Sequence, residues 1–391
     1  MDTFGFDFSL KRPLERFTRD LTAAALRDEL PPVRCRDAAI NRVITVLVRQ
    51  SKNNPVLVGE AGVGKTAVAE GLAQWIVAGD VPDSLQTARV LSVSHMDLIA
   101  GTSFRGQYER RLQALVKEAS ADRNIILFID ELHNLIGAGT AIGAPMDAAN
   151  LLKPALAGGS LRVIGATTEF EYDQYIRADS ALERRFQPVQ IHELNAQETL
   201  EVLLARRPLL EMHHLLSIGD DTLKAAIDVS LQYAPSRKQP DRSIDLLDET
   251  CASIRLRRQQ SVSPKILAWN EKREVLRATE KELIDRITEL ENGEGNFVER
   301  FSRGTYRAFE SAGLKLESMI TGKRTPRRPL PPPDSHRKLL RADPAKDLAR
   351  IHCERLKIED KLRKALERHG AIVTPADIHE TSGNAGGIVM K

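Results

Sequence analysis

The sequence predicts an α/β fold: a parallel sheet with helices on both faces, followed by a small helical domain and a helical C-terminal extension. Three observations carry that expectation. Between residues 34 and 194, four short apolar, β-branched runs alternate with helical stretches. A glycine-rich loop joins the first of those runs to a helix. From 195 to about 260 the pattern turns wholly helical. The chain has 391 residues, more than one ordinary domain, and its composition of 42% apolar and 28% charged residues suits a soluble chain with a sizeable core.

Residues 1–33 form a lead in which Pro31-Pro32 holds the chain extended ahead of anything helical. The runs NPVLVG (54–59), RVLSVS (89–94), IILFID (125–130) and LRVIGATT (161–168) suit strands buried on both faces, and their alternation with helices implies parallel pairing within a domain spanning 34–194. Helical patterns at 196–212, 220–233 and 241–258 make up a second domain, 195–260, with no comparable strand. Within 261–324, a polar helix over 264–292 carries Leu276, Leu283, Ile287 and Leu290 as a narrow, coiled-coil-like seam. TPRRPLPPP (325–333) excludes helix and opens a basic linker running to 345. The last segment, 346–391, resumes a charged helix with Leu348, Ile351, Ile358, Leu362 and Leu366 on one side and closes on TSGNAGGIVMK, read as a frayed tail.

Charge and cysteine usage narrow the function classes. A formal net charge of +3 over this length gives no global case for nucleic acid or membrane partners. The basic stretch 323–350 has no interleaved aromatic residues on which bases could stack, so nucleic acid is not an expected partner. Cys35, Cys251 and Cys353 are scattered, without metal-ligand spacing, and read as reduced thiols. The N-terminus lacks a basic, then apolar, leader, and no run reaches transmembrane length, so a cytoplasmic location is expected.

The chemistry-bearing residues fall into four groups. Gly59-Glu60-Ala61-Gly62-Val63-Gly64-Lys65-Thr66, with Ala67 following, is a phosphate-binding loop between a predicted strand and a helix over 65–78 that Gly79 can end. Glycines let successive N–H groups curl toward the β- and γ-phosphates, Lys65 adds a point charge, and the Thr66 hydroxyl suits magnesium. At the end of the third run, Asp130 and Glu131 reach the sheet's C-terminal edge, where the first would hold magnesium and the second polarise an attacking water. Thr168 ends the fourth run, where a hydroxyl could sense the γ-phosphate. Arg184 and Arg185 follow, residues of the type that stabilises a transferring phosphoryl group, including from a neighbouring subunit.

These motifs, in this order, resemble the first ATPase module of the Clp family. KNNPVLVGEAGVGKTAVAEGLAQWIVAGDVP, ILFIDELHNLIGAG, MDAANLLKPALAGG, GATTEFEYDQYI, ALERRFQPV and PDRSIDLLDETCASIR all look like that family, from about 14 to 258. The resemblance implies an AAA+ P-loop fold, ATP and Mg2+ as cofactors, and a ring, six subunits being the family expectation. It implies nucleotide binding by Gly59 to Ala67, hydrolysis by Asp130 and Glu131, sensing by Thr168, and arginine fingers at Arg184 and Arg185. It also implies a substrate-gripping pore loop at Phe104, Arg105 and Gly106. The family's Asp-Pro-Val-Ile-Gly-Arg-like run, which the resemblance places along the adenine, stands here as Pro31-Pro32-Val33-Arg34-Cys35-Arg36. No N-terminal adaptor domain, second module or protease-docking loop is expected from the motifs present. The leading expectation is a ring ATPase that remodels or translocates a protein; the alternative is a nucleotide-gated assembly factor that switches a partner complex without threading it.

Overall fold

The computed structural model describes residues 12–100, 105–136, 148–257, 263–292 and 344–388. The chain divides into two compact units, 1–260 with 371–391, and 261–370.

The first unit begins with α1 (Pro13–Phe17), β1 (Thr18–Asp20), α2 (Leu21–Leu26) and α3 (Asp37–Leu47). Then come β2 (Asn54–Val58), α4 (Lys65–Ala78), β3 (Arg89–Val93), α5 (His95–Ile99), α6 (Arg105–Ala121) and β4 (Ile125–Ile129). Next are α7 (Leu132–Ile136), α8 (Ala148–Ala157), β5 (Arg162–Thr167), α9 (Glu169–Glu171) with a π-turn over Tyr172–Arg177, α10 (Ser180–Glu183) and β6 (Phe186–Gln190). The sheet order is β1-β3-β4-β5-β2-β6, every pairing parallel except that of β1 with β3.

Strand alternation separates two cores. Val58, Leu127, Ile129 and Val163 pack with α1, α6 and α8 on one face of the sheet, while Leu57, Ile126, Phe128 and Ile164 pack with α2, α3 and α4 on the other. The strands therefore read as continuous apolar runs because both their faces are covered. The four expected strands and the helix ending at Gly79 are present, the latter with φ of 80° at its cap.

Pro31-Pro32 is non-helical as expected, but the lead ahead of it already contains α1 and α2. Thr18–Asp20 adds an antiparallel edge strand, so the sheet is mixed. Asp20 is what makes this turn possible: it accepts from Ala23 N at 2.9 Å, capping α2, and from Arg89 at 2.8 Å, tying the edge to β3. β6 was not anticipated as a strand; it follows the arginine pair and lies on the outer side of β2.

The helical part comprises α11 (Ala196–His214), β7 (Leu216–Ile218), α12 (Asp220–Tyr233) and α13 (Asp241–Arg257). The expectation of no strand there is corrected by β7, which pairs in parallel with β8 (Ala371–Val373), a segment over 150 residues away. The closing run is likewise not frayed, because α16 (Pro375–Ile388) takes in most of it. Ile378 joins Leu223, Leu246, Leu247 and Cys251 in the core of this part, and the Thr222 hydroxyl donates to Val373 O at 2.7 Å.

The second unit is an antiparallel pair, α14 (Pro264–Asn292) and α15 (Pro344–His369), with Lys361 lying 4.9 Å from the Trp269 ring and Glu280 meeting His352 further along. Leu348, Ile358, Leu362 and Leu366 are buried as expected, and Ile351 is half-buried. On α14 the expected seam is displaced: Leu276 and Leu283 are only half-buried, whereas Ile266, Arg273, Glu280 and Ile284 are buried. Ionic pairing explains the shift, because Glu280 is matched by Arg355 and His352 from α15. The side chains of Ile287 and Leu290, and the linker 325–333, lie outside the described residues.

Candidate nucleotide-binding site

Because β4, β5 and β2 are adjacent and parallel, their C-terminal ends open on one edge of the sheet. The loop 59–64 leaves β2 there and runs into α4. Gly62 and Gly64 adopt φ of 81° and 86°, a conformation that favours glycine. A Cβ at Gly59 would lie 2.4 Å from Ile191 O, so the loop leaves the sheet where only backbone fits. The result is a run of N–H groups at the N-terminus of a 14-residue helix, a fit for phosphate.

The cavity at this edge measures about 840 Å³ and is lined by Ala61, Gly62, Gly64, Lys65, Thr66, Ala67, Asp130, Glu131 and Thr168, among others. Of the expected loop residues, Gly59, Glu60 and Val63 shape the turn without lining the cavity, and Val63 is buried. Lys65 folds back so that its ammonium donates to Gly59 O and Glu60 O, each at 2.9 Å. Burial pushes that ammonium down from its ordinary value, opposed by Asp130 and Glu171. The Thr66 hydroxyl donates to Asp130 Oδ2 at 2.8 Å. Two hard oxygen ligands this close, with room for phosphate oxygens and water, fit magnesium rather than a softer metal.

Thr168 behaves differently from the other three. It caps α9 in a capping box, its hydroxyl and N–H both donating to Glu171 Oε2 at 2.8 and 3.0 Å. The same oxygen accepts from the Thr167 hydroxyl at 3.0 Å and lies 3.0 Å from His133 Nδ1. Burial alone would push the Glu171 carboxyl up; the bonds from Thr168 and Thr167 and the His133 charge carry it below the usual range.

Arg184 and Arg185 do not line this cavity. Arg184 is exposed and Arg185 half-buried in the turn after α10, whose N-terminus is capped by Asp179, itself paired with Lys153 at 2.6 Å. Phe104 lies outside the described residues; Arg105 and Gly106 open α6.

The run 31–36 set apart in the sequence does contribute to the cavity wall, but the part Arg36 plays and the further residues from beyond 190 were missed. Arg36 is buried, donates to Val63 O and, at 3.1 Å, to His192 O, and so clamps the phosphate loop to the chain following β6. Its acceptors are carbonyls, which leave no sequence signal. Leu194, just ahead of the helical part, and Val202, Arg206, Asp241 and Ile244 within it line the cavity together with Pro31, Pro32, Val33 and Arg34. Glu70, on α4, also lines it, and burial pushes its carboxyl up against the charges of Arg206 and Arg19. The Thr168-x-x-Glu171 spacing did carry a legible cap signal.

A family model described as ATPase family associated with various cellular activities (AAA) matches residues 55–193, and an AAA lid domain model matches 195–294. The chain is 46% identical over 313 residues to the chaperone protein ClpB of Oceanobacillus iheyensis, covering 79% of this chain and 38% of that one. It is 52% identical over 244 residues to the negative regulator of genetic competence ClpC/MecB of Bacillus subtilis, covering 62% of this chain and 30% of the relative. The solved S. cerevisiae Hsp104–ADP complex matches with a TM-score of 0.59 at 35% identity, covering 76% of this chain and 52% of that one. The chain thus spans only 38% and 30% of the length of these two curated relatives.

Proposed function

The chain belongs to the Clp/Hsp100 family of AAA+ ATPases, and we propose that it is a ring-forming motor that couples ATP hydrolysis to remodelling or translocation of a protein partner. The observation that carries this reading is the convergence of Lys65, Thr66, Asp130 and Glu131 on one cavity at the sheet edge.

In this reading the residues 34–194 form the large nucleotide-binding domain and 195–260 the small helical one. The loop N–H groups and Lys65 bind the β- and γ-phosphates; the ammonium has first to leave the carbonyls of Gly59 and Glu60. Thr66 and Asp130 would hold magnesium, which when bound supplies charge neutralisation for the phosphate oxygens. Glu131 orients and polarises the attacking water. Thr168 reports the γ-phosphate, exchanging its bond to Glu171 for one to the nucleotide. Arg184 and Arg185 act on a neighbouring subunit's nucleotide, a role supported by their absence from the lining of the chain's own cavity. Phe104, Arg105 and Gly106 grip the protein substrate. Among the described residues no helix is long and apolar enough to cross a membrane.

The test separates binding from chemistry. Lys65→Ala is expected to abolish ATP binding, whereas Glu131→Gln should bind ATP with near-normal affinity and lose turnover by about a hundredfold or more. Titration with a fluorescent nucleotide and a steady-state phosphate-release assay read the two effects. Equal loss of binding in both variants would refute the division of roles.

A further inference from the structure

Glu131 is the second residue beyond β4, and it adopts φ of 48°, a left-handed conformation unusual for a residue with a side chain. Such a conformation persists only where surrounding groups hold it. Three hydrogen bonds do so here. Glu131 N–H donates to Asp130 Oδ1 at 3.0 Å, Asn134 N–H donates to Glu131 O at 2.8 Å, and Asn134 Nδ2 donates to Glu131 Oε2 at 2.6 Å. The first two shape the backbone. The third reaches the carboxylate itself.

We infer that Asn134 is a positioning residue for hydrolysis: its amide fixes one oxygen of Glu131, so that the other, Oε1, faces the attacking water. The inference rests on the reading of Glu131 as the base. A general base must present a lone pair along one direction, and an exposed carboxylate at a cavity wall otherwise rotates freely. Fixing one oxygen removes that rotor while leaving the second able to accept a proton. Asn134 sits three residues on, within the short helix α7 that starts directly after Glu131, so its hold is local in sequence and does not depend on closure around nucleotide. Asn134 is exposed and does not line the cavity, so it acts through Glu131 and not on the nucleotide. Its exposure also means that substitution leaves no hole in a core.

The full chain is compared as wild type, Asn134→Leu, Asn134→Gln, Glu131→Gln and the Asn134→Leu/Glu131→Gln double variant. Nucleotide affinity, kcat and oligomer size are measured for each. Asn134→Leu, which removes the donor at similar volume, should lower kcat about tenfold with ATP affinity and oligomer size unchanged. Asn134→Gln keeps a donor and should remain within about threefold of wild type. In the Glu131→Gln background, Asn134→Leu should cause no further loss, because there is no carboxylate left to orient. A kcat for Asn134→Leu equal to or above wild type overturns the inference, as does an equal loss in both backgrounds, which would mark a merely structural role. Both of those results leave Glu131 as the base. Full turnover in Glu131→Gln would instead remove the base assignment, and the inference with it.

Discussion

The α/β layer and the α14–α15 pair solve the burial of charge in opposite ways. In the layer, β2 and β4 are buried along their whole length and apolar but for Asn54, and Asp130 and Glu131 stand at the C-terminal edge, where they stay exposed. In the helical pair, charged groups lie inside the seam. Glu280 is 5% exposed and Arg355 3%, with Arg355 Nε 2.7 Å from Glu280 Oε2 and Arg355 NH1 2.8 Å from Glu359. Burial alone would push the Glu280 carboxyl up, but the His352 hydrogen bond and the Arg355 charge carry it below its ordinary value. The difference teaches where ligands can act. Charges at the sheet edge keep bonding capacity for an incoming phosphate or metal, whereas those in the helical seam spend theirs on each other and set register.

The largest effect should come from breaking the seam. Removing one partner strands the other charge, so Glu280→Leu is expected to destabilise the helical pair by about 3 kcal/mol or more. The triple change Glu280→Leu, His352→Leu and Arg355→Met should recover most of that loss, because no charge is left unmatched. The chain's two tryptophans, Trp75 on α4 and Trp269 on α14, report one region each. Urea unfolding followed through Trp269 in a Trp75→Phe background gives the number. A triple variant as weak as the single one would mean that apolar packing, not the ions, holds the pair.

A smaller effect is expected at the one buried amide of the P-loop strand. Asn54 is 1% exposed, accepts from Val163 N at 2.8 Å and donates weakly to Arg185 O at 3.5 Å. It therefore joins β2 to the start of β5 and to the arginine turn. Asn54→Leu leaves the Val163 N–H without its acceptor and should cost about 1–3 kcal/mol, read through Trp75 in a Trp269→Phe background. Unchanged unfolding would show that the apolar layer tolerates a lost bond that the ionic seam would not.

The same contrast governs what could be read in advance. The helix Lys65–Ala78 was legible to its ends because Gly64 and Gly79 punctuate it, and the acids after β4 were legible because an apolar run stops at them. Thr18–Asp20 was not, since three polar residues carry no strand period and gain their partner only from β3. β7 and β8 failed for the same reason, each being three residues whose pairing is non-local. On α14, an apolar-seam template passes over Arg273 and Glu280, although Ile266, Arg273 and Glu280 recur every seventh residue. Within the site, the groups named by motif were found, whereas the clamping bonds of Arg36 and the contact of Asn134 were not read, because their partners are carbonyls remote in sequence and a side chain one turn away.

The smallest effect concerns acid. Glu171 and Glu280 both have folded-state values below the ordinary one near 4.5. A carboxyl so depressed contributes stability that is present above its unfolded value and is lost as pH falls through the folded value, because the unfolded chain then binds the extra proton. Both regions should therefore weaken below about pH 4.5, the α/β unit through Glu171 and the helical pair through Glu280. Glu171 is the milder case: its side chain is 25% exposed against 7% for Glu280, so water screens its contacts with His133 and the two threonines. Glu171→Gln keeps the shape of the hub but cannot titrate. In that variant the Trp75-reported unfolding midpoint should fall less steeply with acid than in wild type, while the Trp269-reported slope stays as it was. Coincident Trp75 slopes in wild type and Glu171→Gln would mean that the bonds from Thr167, Thr168 and His133 do not favour the ionised carboxylate, and the site's acid sensitivity would have to be sought at another carboxyl.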